Sequence, residues 1–524
     1  MPVKWKIDHS SVYFFGLSLM VIALPLSKFL MSIAQFILII NWLTERKFKE
    51  KIYNFFHNKA ALVLVSLLVL HIIGLAFTSD FDYAWKDLRT KAPILAFTVI
   101  ISTTKTLDSR KFKYLMLIFI GAVLSGTFIS TYILYTKQII DIREISIFIS
   151  HIRFSLNICL AIFAMVYFVF KDNNISSLLK SILIAITIWL IVFLFLFESV
   201  TGLIVLLTTA TIILIYILIK KSNIYYSISF IILLIIICIL SSITIKNSIE
   251  EVYKVNPVNF SKLEKYTPYG NEYEHDTIRS SVENGNYVWI YISIRELRDT
   301  WNKRSGFDFD SLDKKSQYLS YTLIRFLASR GLRKDMDGVN QLSNEEIKMV
   351  ERGIANVNYR GKSNIRSRIH QIIWEYKNYY ETRDPSGHSV MQRLEFWRAS
   401  LEIIKRNPVI GVGTGDMNFA FKDQYKRMNS PLDPKYQWRS HNQFLSIFVG
   451  FGIIGLLWFL FTLIYPPLIL GKFHDYFYLT FFIILIISML AEDTIESQAG
   501  VSFFAFFSAL FLFGKKENDS IGST

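Results

Sequence analysis

The chain has 524 residues, 52% of them hydrophobic and 15% aromatic, and 57 Lys and Arg outweigh 42 Asp and Glu for a net charge of +15. A soluble domain of this length would be less apolar and more highly charged. Only two cysteines occur, Cys159 and Cys238, both inside apolar runs, which excludes a disulfide framework or a CxxC metal site.

The apolar residues gather in runs of about 18 to 24, long enough for a helix to cross a hydrocarbon core of about 30 Å. Helices are the required form, because backbone polar groups in lipid must pair within their own segment. Twelve spans are predicted, at about 11–27, 29–44, 60–78, 92–104, 113–136, 153–170, 178–197, 201–219, 225–244, 443–470, 476–491 and 500–514. The first two are short and suit a tilted hairpin. No cleavable signal peptide is expected, since a second apolar run follows the first at once without a small-residue cleavage pattern.

Lys and Arg in the short loops set the orientation. With a cytoplasmic N-terminus, the inner segments carry Lys4, Lys6, Arg46, Lys47, Lys49, Lys51, Lys105, Arg110, Lys111, Lys113, Lys171, Lys220, Lys221, Lys472, Lys515 and Lys516. The outer short loops hold Asp80, Asp82, Asp141, Glu198, Glu492, Asp493 and Glu496, together with Lys86, Arg89, Lys91, Lys137 and Arg143. The bias puts both ends in the cytoplasm and residues 245–440 outside. That long segment has about 32 Lys and Arg against about 25 Asp and Glu. Long loops translocate regardless of charge, and a basic outer surface suits anionic partners such as lipid diphosphates or headgroups, or is simply soluble.

The long segment reads as helical. Residues 287–297 fit either period, whereas 316–331 and 366–382 repeat apolar residues at helical spacing. Ser343 with Glu346 is a capping box that opens a helix over 344–355. Pro385-Ser386-Gly387 is a break, and the next helix, 389–406, stops at Asn407-Pro408. The domains expected are an N-terminal bundle of about nine spans (1–244), an outer helical domain (245–440), about three further spans (441–514) and a cytoplasmic tail (515–524).

Chemistry concentrates between Arg393 and Gly455. There the chain reads Arg393-x-x-x-Trp397, then Asn407-Pro408-x-x-Gly411-x-Gly413-x-Gly415-Asp416, then Ser440-His441-Asn442-Gln443-x-Leu445, then Gly450-x-Gly452-x-x-Gly455. Arg393 and Trp397 share a helix face. The glycines let backbone approach a neighbour or a ligand closely. His441 immediately precedes an apolar span, so it lies at the membrane surface.

This order of motifs resembles the O-antigen ligase and polymerase family of bacterial membrane glycosyltransferases. The resemblance implies an all-α polytopic, GT-C-like fold of about twelve transmembrane helices with one large periplasmic helical domain, in the bacterial inner membrane. It implies inverting transfer of a glycan from undecaprenyl diphosphate to an acceptor hydroxyl, with no cofactor, nucleotide sugar or metal. Such a reaction needs fixed cations for the departing diphosphate, which arginine supplies bidentately. It also needs an acceptor for the hydroxyl proton, which neutral histidine supplies near pH 7.

On that basis His441 is the expected base or acceptor-orienting group, and Arg393 the first diphosphate ligand. Arg398, Arg439 and Arg153 are further candidates for the diphosphate. The alternatives are an interfacial structural histidine and surface or snorkelling arginines. Asn442 either orients His441 or caps the next helix. Glu492 and Glu496 either accept a proton and pair with an arginine, or belong to a solvated loop. His71 reads as a packed or hydrogen-bonded interior residue. Many members of the family it resembles carry a Ser-Arg pair at the outer start of the eighth span. Here the sequence is Glu198-Ser199-Val200-Thr201-Gly202, without arginine.

Three acceptors are compatible: lipid A–core for a ligase, a growing lipid-linked glycan for a polymerase, and protein. A transporter or flippase is the alternative of another class. It predicts paired repeats and charges deep in several spans, and the sequence has no such repeat and few such charges. No Walker motif, HExxH or GxSxG is present, and no βαβ context surrounds Gly411–Gly415.

Overall fold

The computed structural model describes residues 8–137, 139, 142–172, 175–221, 224–278, 281–359 and 365–516. Lys4, Lys6, Asp141 and the tail from residue 517 lie outside the described residues, as do the side chains of Lys220, Lys221 and Cys238.

The first stretch of chain forms α1 His9–Leu26, α2 Lys28–Thr44, α3 Phe48–His57, α4 Lys59–Ile73, α5 Phe81–Thr103, α6 Ser109–Thr136, α7 His151–Lys171, α8 Ser177–Leu196 and α9 Val200–Lys221. Next come α10 Ile224–Tyr253, the short strands β1 Val282–Glu283 and β2 Asn286–Tyr287, then α11 Ile294–Arg304, α12 Leu319–Ser329, α13 Met336–Asn340, α14 Asn344–Glu351 and α15 Ile365–Thr382. The chain ends with α16 Ser389–Arg406, α17 Met417–Arg427, α18 Gln443–Ile469, α19 Tyr476–Ala491 and α20 Gln498–Ala509. Among the described residues the only sheet is the antiparallel pair β1–β2.

This is a membrane protein. Six helices are long and apolar enough to cross a bilayer: α1, α4 with its 3-10 extension to Phe77, α6, α7, α8 and α18. Helices α2 and α3 qualify only as one pair bent by 113°. Among the described residues, length and composition thus establish six or seven spans where twelve are expected; most side chains of the expected span 225–244 lie outside the described residues. Helix α5 starts at Phe81 rather than near residue 92, and its first turns carry Asp82, Lys86, Asp87, Arg89 and Lys91. The apolar stretches Val200–Tyr216, Tyr476–Ala491 and Gln498–Gly514 are short.

The described residues divide into two compact units, one from 1–137, 142–221 and 384–524, the other from 138–141 and 222–383. In the first, α1 packs on α2 and α6, α5 on α20 and α4, and α7 on α8, α9 and α19. Helix α7 is the most enclosed of the six spans, with 83% of its apolar window buried. Ser27 ends α1, and its hydroxyl accepts the Leu30 N–H to start α2 at once, which gives the tight pairing expected of the first two runs.

The glycine motif is a clamp. Gly452 has φ 63 and ψ −164, a conformation that breaks α18. Backbone groups freed by that break must find other partners. The 408–413 turn supplies them: Val412 N–H donates to Val449 O (3.0 Å), Gly413 N–H to Gly450 O (2.8 Å), and Ile453 N–H to Pro408 O (2.8 Å). A Cβ on Gly411 would sit 2.4 Å from the Gly450 carbonyl carbon, and one on Gly452 would sit 2.2 Å from Val409. The Asp416 carboxylate then accepts the Ser79 and Asp80 N–H groups (2.8–3.0 Å), and Thr414 Oγ1 donates to His71 O (2.6 Å). The close neighbour of these glycines is protein backbone.

In the second unit Leu297, Trp301, Leu319, Leu323, Phe326, Leu327, Val339 and Val350 share one core. The Ser343–Glu346 capping box is present. Helix α14 stops at Glu351, short of the expected 355. Gly353 (φ 76) forms a Schellman end there, with Ile354 N–H on Met349 O and Gly353 N–H on Val350 O. The ambiguous stretch 287–297 splits between β2 and α11. Asn284 and Gly285, at φ 48 and 89, turn the hairpin before it.

Gly452→Ala meets both a backbone clash and a left-handed φ. It is expected to lower the melting midpoint of the detergent-solubilised protein by at least about 5 °C.

Candidate active site

Four segments of the first unit converge: α16, the turn before α18, the first turn of α7, and the junction 492–497 between α19 and α20. The junction is bound to the turn mainly by side chains. Asp493 Oδ1 accepts from Asn442 N–H (3.0 Å), Ser446 Oγ (2.7 Å) and Ser440 Oγ (3.3 Å). Asn442 caps α18 by accepting the Leu445 N–H (3.1 Å) and donates its amide to Leu490 O (2.9 Å). Gln443 accepts the Ile495 N–H (2.8 Å) and donates to Glu496 Oε1 (3.1 Å). Held this way, His441 takes φ 45, a left-handed conformation uncommon outside glycine.

Glu492 is the hub. Its Oε1 accepts from Arg393 Nη2 at 2.8 Å, and its Oε2 lies 3.3 Å from His441 Nδ1 and 3.6 Å from Arg153 Nη1. Burial by itself would raise the Glu492 carboxyl. The hydrogen bond and charge of His441, with the charges of Arg153 and Arg393, overcome this and hold it at about 2. Glu492 is therefore a carboxylate that can only accept, so His441 Nδ1 carries the proton that faces it. Nε2 is the other ring nitrogen, and among the described residues it has no hydrogen-bond partner. Phe396, one turn after Arg393 on α16, stacks on the imidazole at 5.4 Å and fixes its plane.

The cations differ in exposure. The His441 and Arg393 side chains remain 35% and 27% exposed. Arg153 is 9% exposed, and its Nη2 donates to Asp493 O at 3.0 Å, the residue after Glu492. Arg439 lies 3.5 Å from Glu496 Oε2 and over the Tyr83 ring at 5.9 Å. Burial opposes the Arg439 charge, but Glu496, Tyr83 and Asp493 hold its pKa above the usual arginine value. Arg398 is outside the cluster: it is 62% exposed and reaches Glu395 at 3.5 Å. Ser199 is a buried packing residue, bonded to Ser155 Oγ (2.7 Å) and to the Gly202 N–H (3.1 Å).

Residues 345–460 match the family model described as O-antigen ligase. The chain carries an O-antigen ligase domain. No curated protein matches the chain. The ligase domain contributes Arg393, Arg439, His441 and Asn442, whereas Arg153, Glu492 and Glu496 reach the site from sequence outside the match. The match places the chain, in general terms, among ligase- and polymerase-type membrane glycosyltransferases.

Sequence reasoning missed Asp493, Gln443, Asp87 and Lys91. Gln443 stood within the 440–445 motif without a role of its own, and Asp493 carries no motif, since the work of both is holding one loop to another. Asp87 and Lys91 had a legible signal, opposite charges one helical turn apart beside an apolar run. Lys91, expected in an outer short loop, lies in α5. It is fully buried, 2.5 Å from Asp87 and 3.1 Å from Glu496.

Because the Glu492 pKa is lowered on folding, its contribution to stability is complete above about pH 4.5 and is lost as pH falls towards 2. The loss is on the order of 3 kcal/mol. Between pH 5 and pH 3 the melting midpoint of the wild type should fall more steeply than that of Glu492→Gln.

Proposed function

We propose that this chain moves a glycan from undecaprenyl diphosphate to a lipid A–core hydroxyl, on the periplasmic side of the bacterial inner membrane. On this reading the chain has twelve spans, both ends in the cytoplasm and the 245–440 segment in the periplasm. The observation that carries the proposal is Glu492, whose two oxygens hold a partly exposed arginine and orient a partly exposed imidazole with one nitrogen free.

The step balances without a further reactant. His441 Nε2 takes the acceptor hydroxyl proton as the oxygen attacks the anomeric carbon from the face opposite the diphosphate. The bond from that carbon to the diphosphate oxygen breaks, its electrons leave with the diphosphate, and the configuration inverts. Charge growing on the leaving group is met by Arg393, assisted by Arg439 and by Arg153. Fixed guanidinium groups can take the charge that a metal ion would otherwise take, so the transfer is proposed to be metal-independent. Glu492 stabilises the imidazolium that forms and keeps the tautomer correct.

A surface-polysaccharide polymerase would use the same donor and leaving group with a lipid-linked glycan as acceptor. Purified protein given undecaprenyl-diphosphate glycan separates the two. Product only when core acceptor is added is the expected result, and chain extension without core would assign the polymerase reaction. His441→Ala and Arg393→Ala should each lower transfer at least about 100-fold with membrane insertion intact. Normal transfer by either variant would remove that residue from the mechanism. Transfer should persist in excess chelator, and its loss there would contradict metal independence.

A further inference from the structure

We propose that Lys91 is a positioning residue for the transfer reaction, fixing through Glu496 the backbone that presents Glu492 to His441. The proposal rests on the transferase reading above and extends it to a helix outside the ligase domain. Lys91 lies in the first half of α5 with no exposed surface. Its Nζ is 2.5 Å from Asp87 Oδ1, one turn earlier, and 3.1 Å from Glu496 Oε2. The other Asp87 oxygen faces His71 Nδ1 of α4 at 3.1 Å. Buried charges of this kind persist only when closely paired.

The pairing crosses from scaffold to site. Glu496 collects Lys91 from α5, Gln443 Nε2 from α18 (3.1 Å) and Arg439 from the turn before α18 (3.5 Å). Gln443 in turn accepts the Ile495 N–H at 2.8 Å. The junction has little backbone bonding of its own, through Thr494 N–H to Glu492 O (2.9 Å) and Glu496 N–H to Asp493 O (3.3 Å). Its shape is therefore set by side chains, and its two glutamates divide the work. Glu496 faces Lys91 and Gln443 of the scaffold as well as Arg439, and Glu492 faces Arg393 and His441. Loosening the Lys91 end leaves every group at the reacting end intact but poorly aimed, which slows the chemical step more than donor binding.

Removing Lys91 alone would strand Asp87, so the test removes both charges in Asp87→Asn/Lys91→Met and, separately, weakens the contact in Glu496→Gln. With undecaprenyl-diphosphate glycan as donor, kcat should fall about tenfold or more while donor KM stays within about threefold. Hydrogen exchange in the peptide covering the junction should quicken about tenfold, with α7 and α18 as protected as in the wild type. Wild-type kcat and exchange in both variants would overturn the proposal. So would a fall in kcat accompanied by faster exchange throughout the helices, which would mark a purely structural residue. Absence of transfer by the wild type would instead sink the transferase reading, and junction exchange would still report whether Lys91 holds the loop.

Discussion

A carboxylate taken out of water must be paired, and Glu492 is paired with cations from separate parts of the chain. Arg393 comes from α16, Arg153 from the start of α7, and His441 from the turn before α18. Nothing in the backbone of these segments requires them to meet. The shared carboxylate draws them to one point, at the start of α18 and the end of α19. Its acceptor-only oxygen also takes up Nδ1 of His441 and leaves Nε2 without a partner among the described residues. Exposure then sorts the cations: Arg393 can reach a ligand, while Arg153 supports the loop.

Rigidity around this point comes from two devices that the sequence displays very differently. One is the pair of glycine segments, 411–415 and 450–452, whose missing Cβ atoms let a turn replace the helical hydrogen bonds broken at Gly452. The other is polar: Asp493 and Gln443 bind the 492–497 junction to the turn that carries His441. The first seats α18 against the α4–α5 corner. The second fixes the distance between imidazole and carboxylate. A site of this kind needs both, because an error of about 1 Å in placement can cost about a hundredfold in rate.

Much of this was legible beforehand. The helix at 389–406, the capping box at Ser343 and the span starting at Gln443 follow from local signals, namely a proline stop, a cap and an apolar run. His441 and Arg393 were expected from the reaction that the resemblance implies, with Glu492 open between pairing and a solvated loop, and the structure brings the three side chains together. Burial was not legible. Lys91 and Glu496 look like loop charges in sequence, and only the long start of α5 and its packing on α20 enclose them. Arg398, ranked behind Arg393 in the sequence and five residues from it on the same helix, pairs with Glu395, while Arg393 meets the junction. The expected twelve spans are not all matched among the described residues, because a charged first turn or a short apolar core fails a test of length and hydropathy.

If Glu492 and His441 work as one unit, their losses should not multiply. Measuring kcat/KM for wild type, Glu492→Gln, His441→Ala and the double variant tests this directly. The double variant should be no slower than His441→Ala alone, a coupling of about 2 kcal/mol or more. Losses that multiply would contradict the arrangement, because Glu492 would then contribute to transfer without acting through the imidazole.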